Sequence, residues 1–533
     1  MKRIIILLIV LINFIYVFAQ DRIVYDDAKP ESELSAAINP IDTNNIIIAV
    51  INGFSGNDND FSSAFSIYYT LDFGETWQKS VFHGVLNGYA GAGDPILKFD
   101  NNGVAYLVGL SAKMTNDDPI IHTLISYSTD KGVTWNSIIT NSGQTDKPWL
   151  AIDNNETSSY KNHKYVPTAI EKNNQMIIKL SVLDENNTVI NDTTNVFGNK
   201  SVHLPCVDIN SIGDVFVSAY CISDESIMIA RSGNGGNNFD SHRQIAKVKL
   251  ADNRVITGIT SRLQCSPYMA IDKSGSIYKN RIYFTYTDYE NGSVEGTNAL
   301  LDTYLTWSDD NGETWKTPKV INATATQQTQ QFYSNIYVNN RGNLLLAWYD
   351  GRNDTENKNI DYYLGISTDG GNTINEIKVS SAPSDFTKIG LKNDNFGIGD
   401  YMQVVATDNI AIPFWADGRT NDGDVNVYFA KVNINNPTGI QERSSISYNI
   451  NMKIYPNIVE NEVNIEVILK KSSKIRWDII DINGRIVKYS EAETYTEGLN
   501  KITIPVFSLK QGVYFVKFEL DNGFVKTKRI IKE

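Results

Sequence analysis

The chain has 533 residues, of which 61 are acidic and 48 basic, so its formal net charge is −13. A content of 41% hydrophobic and 20% charged residues is typical of a folded globular protein and excludes a mainly disordered, collagenous or coiled-coil chain. The length predicts a large body plus a smaller module, and the acidic balance argues against a nucleic-acid partner.

The N-terminus has the pattern of an export signal. Lys2 and Arg3 precede an apolar stretch over residues 4–18, and the small-residue spacing that ends at Ala19 is typical of a signal-peptidase site. We predict that residues 1–19 are a signal peptide. A membrane anchor is the alternative, but the apolar stretch is short for a span.

Export changes the interpretation of the cysteines. Cys206, Cys221 and Cys265 are the only three, and an odd number allows at most one disulfide. Three small buried thiols are an equally good interpretation, since their spacing does not resemble a zinc site.

An eight-residue pattern recurs along the body of the chain. Its first copy, residues 70–77, reads Thr-Leu-Asp-Phe-Gly-Glu-Thr-Trp; two further copies are complete and two are degenerate. The Asp side chain can accept backbone N–H bonds within a turn, the Gly allows a positive φ and the Trp can pack on the sheet. Each copy is therefore predicted to close a hairpin between two outer strands. The position of the Asp is occupied in turn by Asp72, Asp130, Asn234, Asp310 and Asp369.

This pattern is the Asp box, and residues 20–436 resemble the sialidase-like (BNR-repeat) β-propellers. The resemblance implies an all-β fold built of blades. Seven blades are predicted, with six, the number in sialidases, as the alternative, and a strand at residues 23–25 is expected to complete the last blade. The seven inner strands are predicted to begin near Leu34, Asp94, Lys147, His203, Tyr268, Tyr333 and Tyr401.

A second motif follows two apolar strands. Residues 348–352 read Trp-Tyr-Asp-Gly-Arg and residues 415–419 read Trp-Ala-Asp-Gly-Arg. Both fall at the end of a second strand, on the face of the ring opposite the Asp boxes. The starts of the inner strands share that face, so we expect side chains from several blades to gather there. The expected group comprises Asp94, Asp146, Arg254, Arg262, Asp400 and Tyr401.

The resemblance implies a site at that position. Sialidases hold a carboxylate sugar with three arginines and use a Tyr–Glu pair and an Asp acid/base. Here Arg262, Arg352 and Arg419 are the candidates for the clamp, and Asp94 or Asp400 for the acid. Tyr401 is a further catalytic candidate, and Asp350 and Asp417 complete the ligand-binding candidates.

The family's early Phe/Tyr-Arg-Ile-Pro motif is not present, and no Glu stands out as the partner of a nucleophilic Tyr. We therefore favour a structural interpretation, in which Asp350–Arg352 and Asp417–Arg419 close turns and bridge blades.

No cofactor is predicted. The five histidines do not have the spacing of a zinc protease, and neither a nucleophile elbow nor a phosphate loop is found. Residues 57–60 (Asn-Asp-Asn-Asp) and 422–424 (Asp-Gly-Asp) offer oxygen ligands that suit Ca²⁺, although such loops are usually solvated turns.

The tail is predicted to be a separate module. Residues 437–449 have a linker composition, and the chain from residue 445 carries 14 basic and 11 acidic residues, in contrast to the acidic body. Residues 450–533 alternate as in a small β-sandwich. They resemble the C-terminal sorting domain of type IX secretion cargo, on the residues 454–457 (Ile-Tyr-Pro-Asn), 481–484 (Asp-Ile-Asn-Gly) and 509–514 (Leu-Lys-Gln-Gly-Val-Tyr).

The sequence thus predicts a monomeric protein that is secreted or held at the outer-membrane surface, with the type IX machinery as a partner and a glycan as the candidate ligand. Three functions stay open: a propeller that binds extracellular glycans or proteins, an exo-sialidase, and a structural adhesin. Arginines gathered at the axis would favour the sialidase, and arginines bridged to carboxylates would favour the binding protein.

Overall fold

The computed structural model describes the greater part of the chain, and everything below concerns those residues. They are residues 21–27, 29–52, 65–81, 89–113, 120–141, 143–194, 196–249, 254–255, 261–265, 267–289, 300–322, 329–393, 396–435, 452–456, 458–469, 471–481, 485–520 and 525–533. The predicted signal peptide and linker lie outside them. The chain divides into two compact units, residues 1–441 and 442–533, and the described elements of both are strands.

The first unit consists of antiparallel sheets that follow one another along the chain. The first strand, β1 (Arg22–Ile23), belongs to the last sheet. Blade 1 contains β2 (Glu31–Ile38), β3 (Ile46–Asn52), β4 (Phe65–Thr70) and β5 (Gln78–Lys79). Blade 2 contains β6 (Tyr89–Phe99), β7 (Ala105–Lys113), β8 (Ile120–Ser128) and β9 (Asn136–Asn141). Blade 3 contains β10 (Thr145–Asp146), β11 (Ala151–Ile152), β12 (Lys164–Lys172), β13 (Gln175–Leu183) and β14 (Val189–Thr193).

Four more blades follow, with a small hairpin before blade 5. Blade 4 contains β15 (Val202–Ile209), β16 (Val215–Cys221), β17 (Ser226–Ser232) and β18 (Arg243–Lys247). The hairpin pairs β19 (Arg254–Val255) with β20 (Arg262–Leu263). Blade 5 contains β21 (Tyr268–Ile271), β22 (Ile282–Tyr289), β23 (Leu301–Ser308) and β24 (Lys319–Val320). Blade 6 contains β25 (Gln331–Val338), β26 (Leu344–Asp350), β27 (Asn359–Ser367), β28 (Asn375–Lys378) and β29 (Ser384–Asp385). Blade 7 contains β30 (Gln403–Ala406), β31 (Ile410–Asp417), β32 (Asn426–Phe429) and β33 (Val432–Asn433), together with β1.

The blades form a closed ring. The inner strands of neighbouring blades contact one another, and β30 of blade 7 contacts β2 of blade 1. The N-terminal strand closes the ring by pairing Arg22 with Phe429 and Ile23 with Tyr428. This confirms the predicted propeller, with seven blades rather than six. A closed ring leaves only short, protected sheet edges.

The ring is held together by strands that are buried on both faces. All seven residues of β3 and of β26 are buried, as expected where a sheet is covered by its neighbours on both sides. The largest fully buried side chains include Trp348 and Trp415, from the second strands of blades 6 and 7. Apolar packing between blades is therefore the main source of stability.

The repeated eight-residue pattern lies at the turns between third and fourth strands. In the first copy the Asp72 carboxylate accepts bonds from the Thr76 N–H (2.9 Å), the Thr76 hydroxyl (2.6 Å) and the Thr70 hydroxyl (2.7 Å). Gly74 has a φ of 81°, which favours glycine. The side chains of Asp130, Asp310 and Asp369 are bonded in the same way, and Asn234 accepts a backbone bond at 3.0 Å.

A backbone irregularity recurs near the start of the inner strands. In blades 1, 2, 4 and 6 the pairing of the inner strand with the second strand shifts register there, which marks a β-bulge. A bulge turns one side chain out of the regular alternation of the strand, and it does so at the same level in these four blades. The residues with positive φ at this level are Glu33, Asp94, Lys147, Leu204 and Tyr333, and Gly399 takes the place in blade 7.

The second unit has two sheets around one apolar core, which confirms the predicted β-sandwich. The smaller sheet contains β34 (Met452–Tyr455), β36 (Glu462–Leu469) and β40 (Gly498–Pro505). The larger contains β35 (Ile458–Val459), β37 (Ser473–Asp481), β38 (Ile486–Tyr489), β39 (Glu493–Tyr495), β41 (Gly512–Leu520) and β42 (Val525–Lys532). Val463, Ile479 and Phe518 are buried in the core that the two sheets share.

All three cysteines are free and buried. The disulfide that the sequence left open is therefore not formed, and the interpretation as buried thiols is correct. Burial raises the pKa of Cys206 to about 12, so this thiol is unreactive near neutral pH. Separately, the described residues contain no helix long and apolar enough to cross a membrane.

Candidate functional site

Four charged residues meet at the axis of the ring, at the end where the inner strands begin. This axial charged cluster consists of Glu33, Asp94, Lys147 and Asp400, from blades 1, 2, 3 and 7. The Lys147 N–H donates to Asp94 at 2.9 Å, and its ammonium lies 3.3 Å from Asp94 and also contacts Asp400. The Asp400 N–H donates to Glu33 at 3.1 Å. The irregular backbone explains this convergence, since Glu33, Asp94 and Lys147 all have a positive φ at this level.

A glycine allows blade 7 to come this close to blade 1. Gly399 has a φ of 84°, and a Cβ at this position would lie 2.6 Å from the backbone N of Glu33. Any other residue would have to push Asp400 away from the axis. Gly399 therefore helps to bring Asp400 and Glu33 together in the cluster.

The cluster is buried, and this decides its protonation. Glu33 and Asp400 are 0% and 1% exposed. Burial raises the pKa of Glu33 well above its usual range, although the nearby Lys147 opposes the shift. Burial alone would lower the pKa of Lys147, but the carboxylates of Asp400 and Asp94 outweigh it and raise that pKa. Burial thus favours the neutral form of Glu33, whereas the neighbouring carboxylates favour the charged form of Lys147.

Asp146 lies beside the axial charged cluster and reaches solvent. Its side chain is 45% exposed, and its carboxylate lies 3.0 Å from Nε2 of His203. Burial would raise the pKa of Asp146, but the hydrogen bond from His203 and the charge of Lys147 lower it. An ionised Asp146 at this place presents an acceptor and not an acid.

A layer of three aromatic side chains lies next to the cluster. Trp149 stacks on Tyr268 with ring centroids 5.1 Å apart and meets the edge of Tyr401 at 5.8 Å. The Tyr401 hydroxyl donates to the Pro95 carbonyl at 3.2 Å, and burial raises the pKa of Tyr401 well above 10. Tyr401 is therefore a neutral, bonded phenol here and not an activated nucleophile.

Two of the three arginines predicted for the clamp, Arg352 and Arg419, do not point to the axis. Arg352 lies 2.6 Å from Asp350 of its own turn and 2.7 Å from Glu376, which lies on the fourth strand of the same blade. It also stacks on the Tyr363 ring at 4.3 Å. The side chain is 13% exposed. The guanidinium is thus held at the outer part of blade 6.

Arg419 repeats this arrangement in blade 7. It lies 2.6 Å from Asp417 and 2.7 Å from Asp21, which directly precedes β1, the fourth strand of that blade. In both motifs the indole of the Trp donates to the same Asp, at 2.8 Å from Trp348 and 2.7 Å from Trp415. The motif ties the end of a second strand to the outer strand of its own blade, whereas the structural interpretation had also included bridges between blades.

The remaining candidates are less informative. Arg262 lies on the hairpin strand β20, and its side chain is not among those described. Residues 57–60 also lie outside the described part of the chain. Asp422 already accepts bonds from Lys392, Thr420 and the Asp424 N–H. Among the described residues no group of acidic, His or Cys side chains could hold a metal ion.

The structure brings together Asp94, Asp146, Asp400 and Tyr401, as the strand order predicts, and adds two residues that sequence reasoning missed. Glu33 and Lys147 are the other half of the cluster. One signal was present: a residue followed by Pro recurs near the start of four successive inner strands, at residues 94–95, 147–148, 204–205 and 266–267. This repeat marks the level at which Asp94, Lys147 and Leu204 have a positive φ, and Lys147 is the cation among the residues that precede the prolines.

Comparison with known proteins identifies the second unit. Residues 453–533 match the secretion system C-terminal sorting domain. A search of curated proteins found no match.

Among solved structures, the chain is similar to a Dyadobacter fermentans protein of unknown function, with 13% identity over 77% of this chain and 97% of that one, and a TM-score of 0.43. It is also similar to the α-L-arabinofuranosidase of Fusarium graminearum, with 11% identity over 78% and 98% of the two chains and a TM-score of 0.43. A Hadza microbial sialidase gives 13% identity over 73% of each chain and a TM-score of 0.39.

Proposed function

We infer that the sorting domain at residues 453–533 directs the protein through type IX secretion to the cell surface or the extracellular space. A propeller exported in this way acts on molecules outside the cell.

We propose that the propeller binds extracellular glycans and does so without sialidase chemistry, and that residues 1–19 are the signal peptide that starts its export. The observation that carries the second part is the position of Arg352 and Arg419. Each guanidinium is bound to two carboxylates within its own blade. Two arginines whose charge is already compensated at the outer strands do not form a carboxylate clamp at the axis.

The candidate catalytic groups support the same proposal. Asp94 and Asp400 share the ammonium of Lys147 and are 6% and 1% exposed. A general acid must be within hydrogen-bond reach of the substrate atom that it protonates. Tyr401 is bonded to a backbone carbonyl and lies under the cluster. These groups are better placed to hold blades 1, 2, 3 and 7 together than to react.

The experiment is a pair of assays on purified residues 20–533. We expect binding to a subset of glycans on an array and no release of fluorophore from a fluorogenic α-sialoside. Turnover that disappears in Asp94→Asn, with the fold retained by circular dichroism, would show that the chain is a sialidase. A chain that binds no glycan on the array would contradict the binding function.

A further inference from the structure

A cavity lies at the axis of the ring, on the other side of Trp149 and Tyr268 from Lys147. This axial cup has a volume of about 680 Å³ and is lined by the inner strands of all seven blades. It lies toward the ends of the inner strands, on the face of the repeated turns, and so is separate from the axial charged cluster. Its volume falls in the range of about 300–1,000 Å³ that is usual for small-molecule sites.

The floor of the cup is aromatic. Trp149 lines the cup, and although it lies in the interior of the ring it is only partly buried. One side of the indole is stacked on Tyr268, which lines the cup with it. Flat aromatic surface of this kind packs against the apolar face of a ring-shaped ligand.

Charged side chains of both signs line the cup, and one of them, Lys98, is a partly buried lysine. Lys98 lies on β6 and lines the cup, and within the described residues no hydrogen bond or ion pair holds its ammonium. The charge of Asp208 acts on Lys98, but that carboxylate already lies 2.5 Å from Lys273 and accepts the Ile271 N–H at 2.8 Å.

The surroundings of Lys98 favour the binding of an anionic ligand. Burial lowers the pKa of Lys98, and Asp208 only partly offsets this. Tyr337 also lines the cup, and burial raises its pKa to about 12, so it is a neutral donor. A bound carboxylate would pair with this partly buried ammonium through a charge-assisted hydrogen bond.

We propose that the axial cup binds one sugar acid, with the carboxylate on Lys98 and the sugar ring over Trp149. The choice of a sugar rests on the proposed glycan-binding function, whereas the anion site rests on the cup alone. The site lies on the face of the ring opposite the one from which the sequence resemblance would place a ligand.

The test uses isothermal titration of the full-length chain with D-glucuronate, and with D-glucose as the matched neutral sugar. We expect glucuronate to bind and glucose not to bind. Lys98→Met should weaken glucuronate binding about tenfold or more, and Lys98→Arg should retain it. Lys392→Met, which removes an exposed lysine paired with Asp422, is the control and should bind as the unchanged chain does.

Equal glucuronate affinity in the unchanged chain and in Lys98→Met would overturn the proposal, as would equal binding of glucose and glucuronate. If Lys98→Met does not fold, acetate decides the matter on the unchanged chain: it should compete with glucuronate, and failure to compete refutes a carboxylate site. The glycan array reports separately on the proposed function. If the array shows no binding but glucuronate binding depends on Lys98, the glycan function is refuted and the anion site in the cup is supported. If the array shows binding but glucuronate binding does not depend on Lys98, the glycan function is supported and the anion site is refuted.

Discussion

Glu31 gives the sharpest test of the energetics of this ring. It begins the inner strand of blade 1 and is 0% exposed. The Tyr68 hydroxyl donates to it at 2.5 Å, and the Val427 N–H of blade 7 donates at 3.3 Å. Burial raises the pKa of Glu31 from 4.5 to about 7, against the lowering effect of the Tyr68 bond. Folded Glu31 therefore keeps its proton up to about pH 7, whereas the unfolded chain releases it near pH 4.5.

The sign and size of the effect follow from proton linkage. Between pH 4.5 and 7 the folded chain binds more protons than the unfolded chain, so this residue makes the protein less stable as the pH rises. Each pKa unit corresponds to about 1.4 kcal/mol, so the full effect is about 3 kcal/mol. Glu31→Gln removes the titration and keeps a carbonyl that accepts the Tyr68 bond. We expect the free energy of unfolding of Glu31→Gln, relative to the unchanged chain, to increase by about 3 kcal/mol from pH 4.5 to pH 8.

The assay is urea unfolding followed by tryptophan fluorescence at several pH values. Seven of the eight tryptophans lie in the propeller unit, so the signal reports mainly on it. Glu75→Gln is the matched control, because hydrogen bonds from Lys431 and Arg22 lower the pKa of Glu75 and its contribution is complete above about pH 5. A difference between Glu31→Gln and the unchanged chain that stays flat over this range would refute the reasoning.

Three further changes test the roles assigned above. Arg352→Met should reduce the free energy of unfolding by about 3–5 kcal/mol, because it leaves two carboxylates without their cation; urea unfolding measures this, and an unchanged midpoint would contradict it. Lys147→Met should destabilise the ring by a similar amount, because it leaves Asp94 and Asp400 without the ammonium that they share; thermal unfolding measures this, and an unchanged melting temperature would contradict it. Asp310→Ala should cost about 1 kcal/mol by removing the bonds that close its turn, and no loss in urea unfolding would show that the turn does not need them.

The sequence predicted the ring because its signals are local and repeated. Asp72 and Asp130 are 58 residues apart and Asp310 and Asp369 are 59 apart, and each turn is closed by bonds among a few neighbouring residues. The closing strand was also predictable, since the last blade lacked a strand and residues 23–25 were apolar enough to supply it. The structure places that strand at residues 22–23.

The site was harder to predict because its contacts are distant in the sequence. Arg419 is bound by Asp21, almost 400 residues earlier, and Asp400 by Lys147. The alternation of a strand does not show an irregular backbone, and without the positive φ at this level Glu33 and Lys147 would not be placed at the axis. Strand order was sufficient to bring Asp94 and Asp400 to one face, but not to identify the cation between them.

The arrangement of charge in the ring explains where a ligand can be recognised. Buried ions must be compensated within the protein, and once compensated they have little left to offer a ligand. Arg352, Arg419 and Lys147 are all compensated by carboxylates from strands that they join. Lys98 is different, because it lies partly buried at the wall of the axial cup and its neighbour Asp208 is already bound to Lys273. The paired cations therefore belong to the architecture, whereas Lys98 has its charge left to offer a ligand.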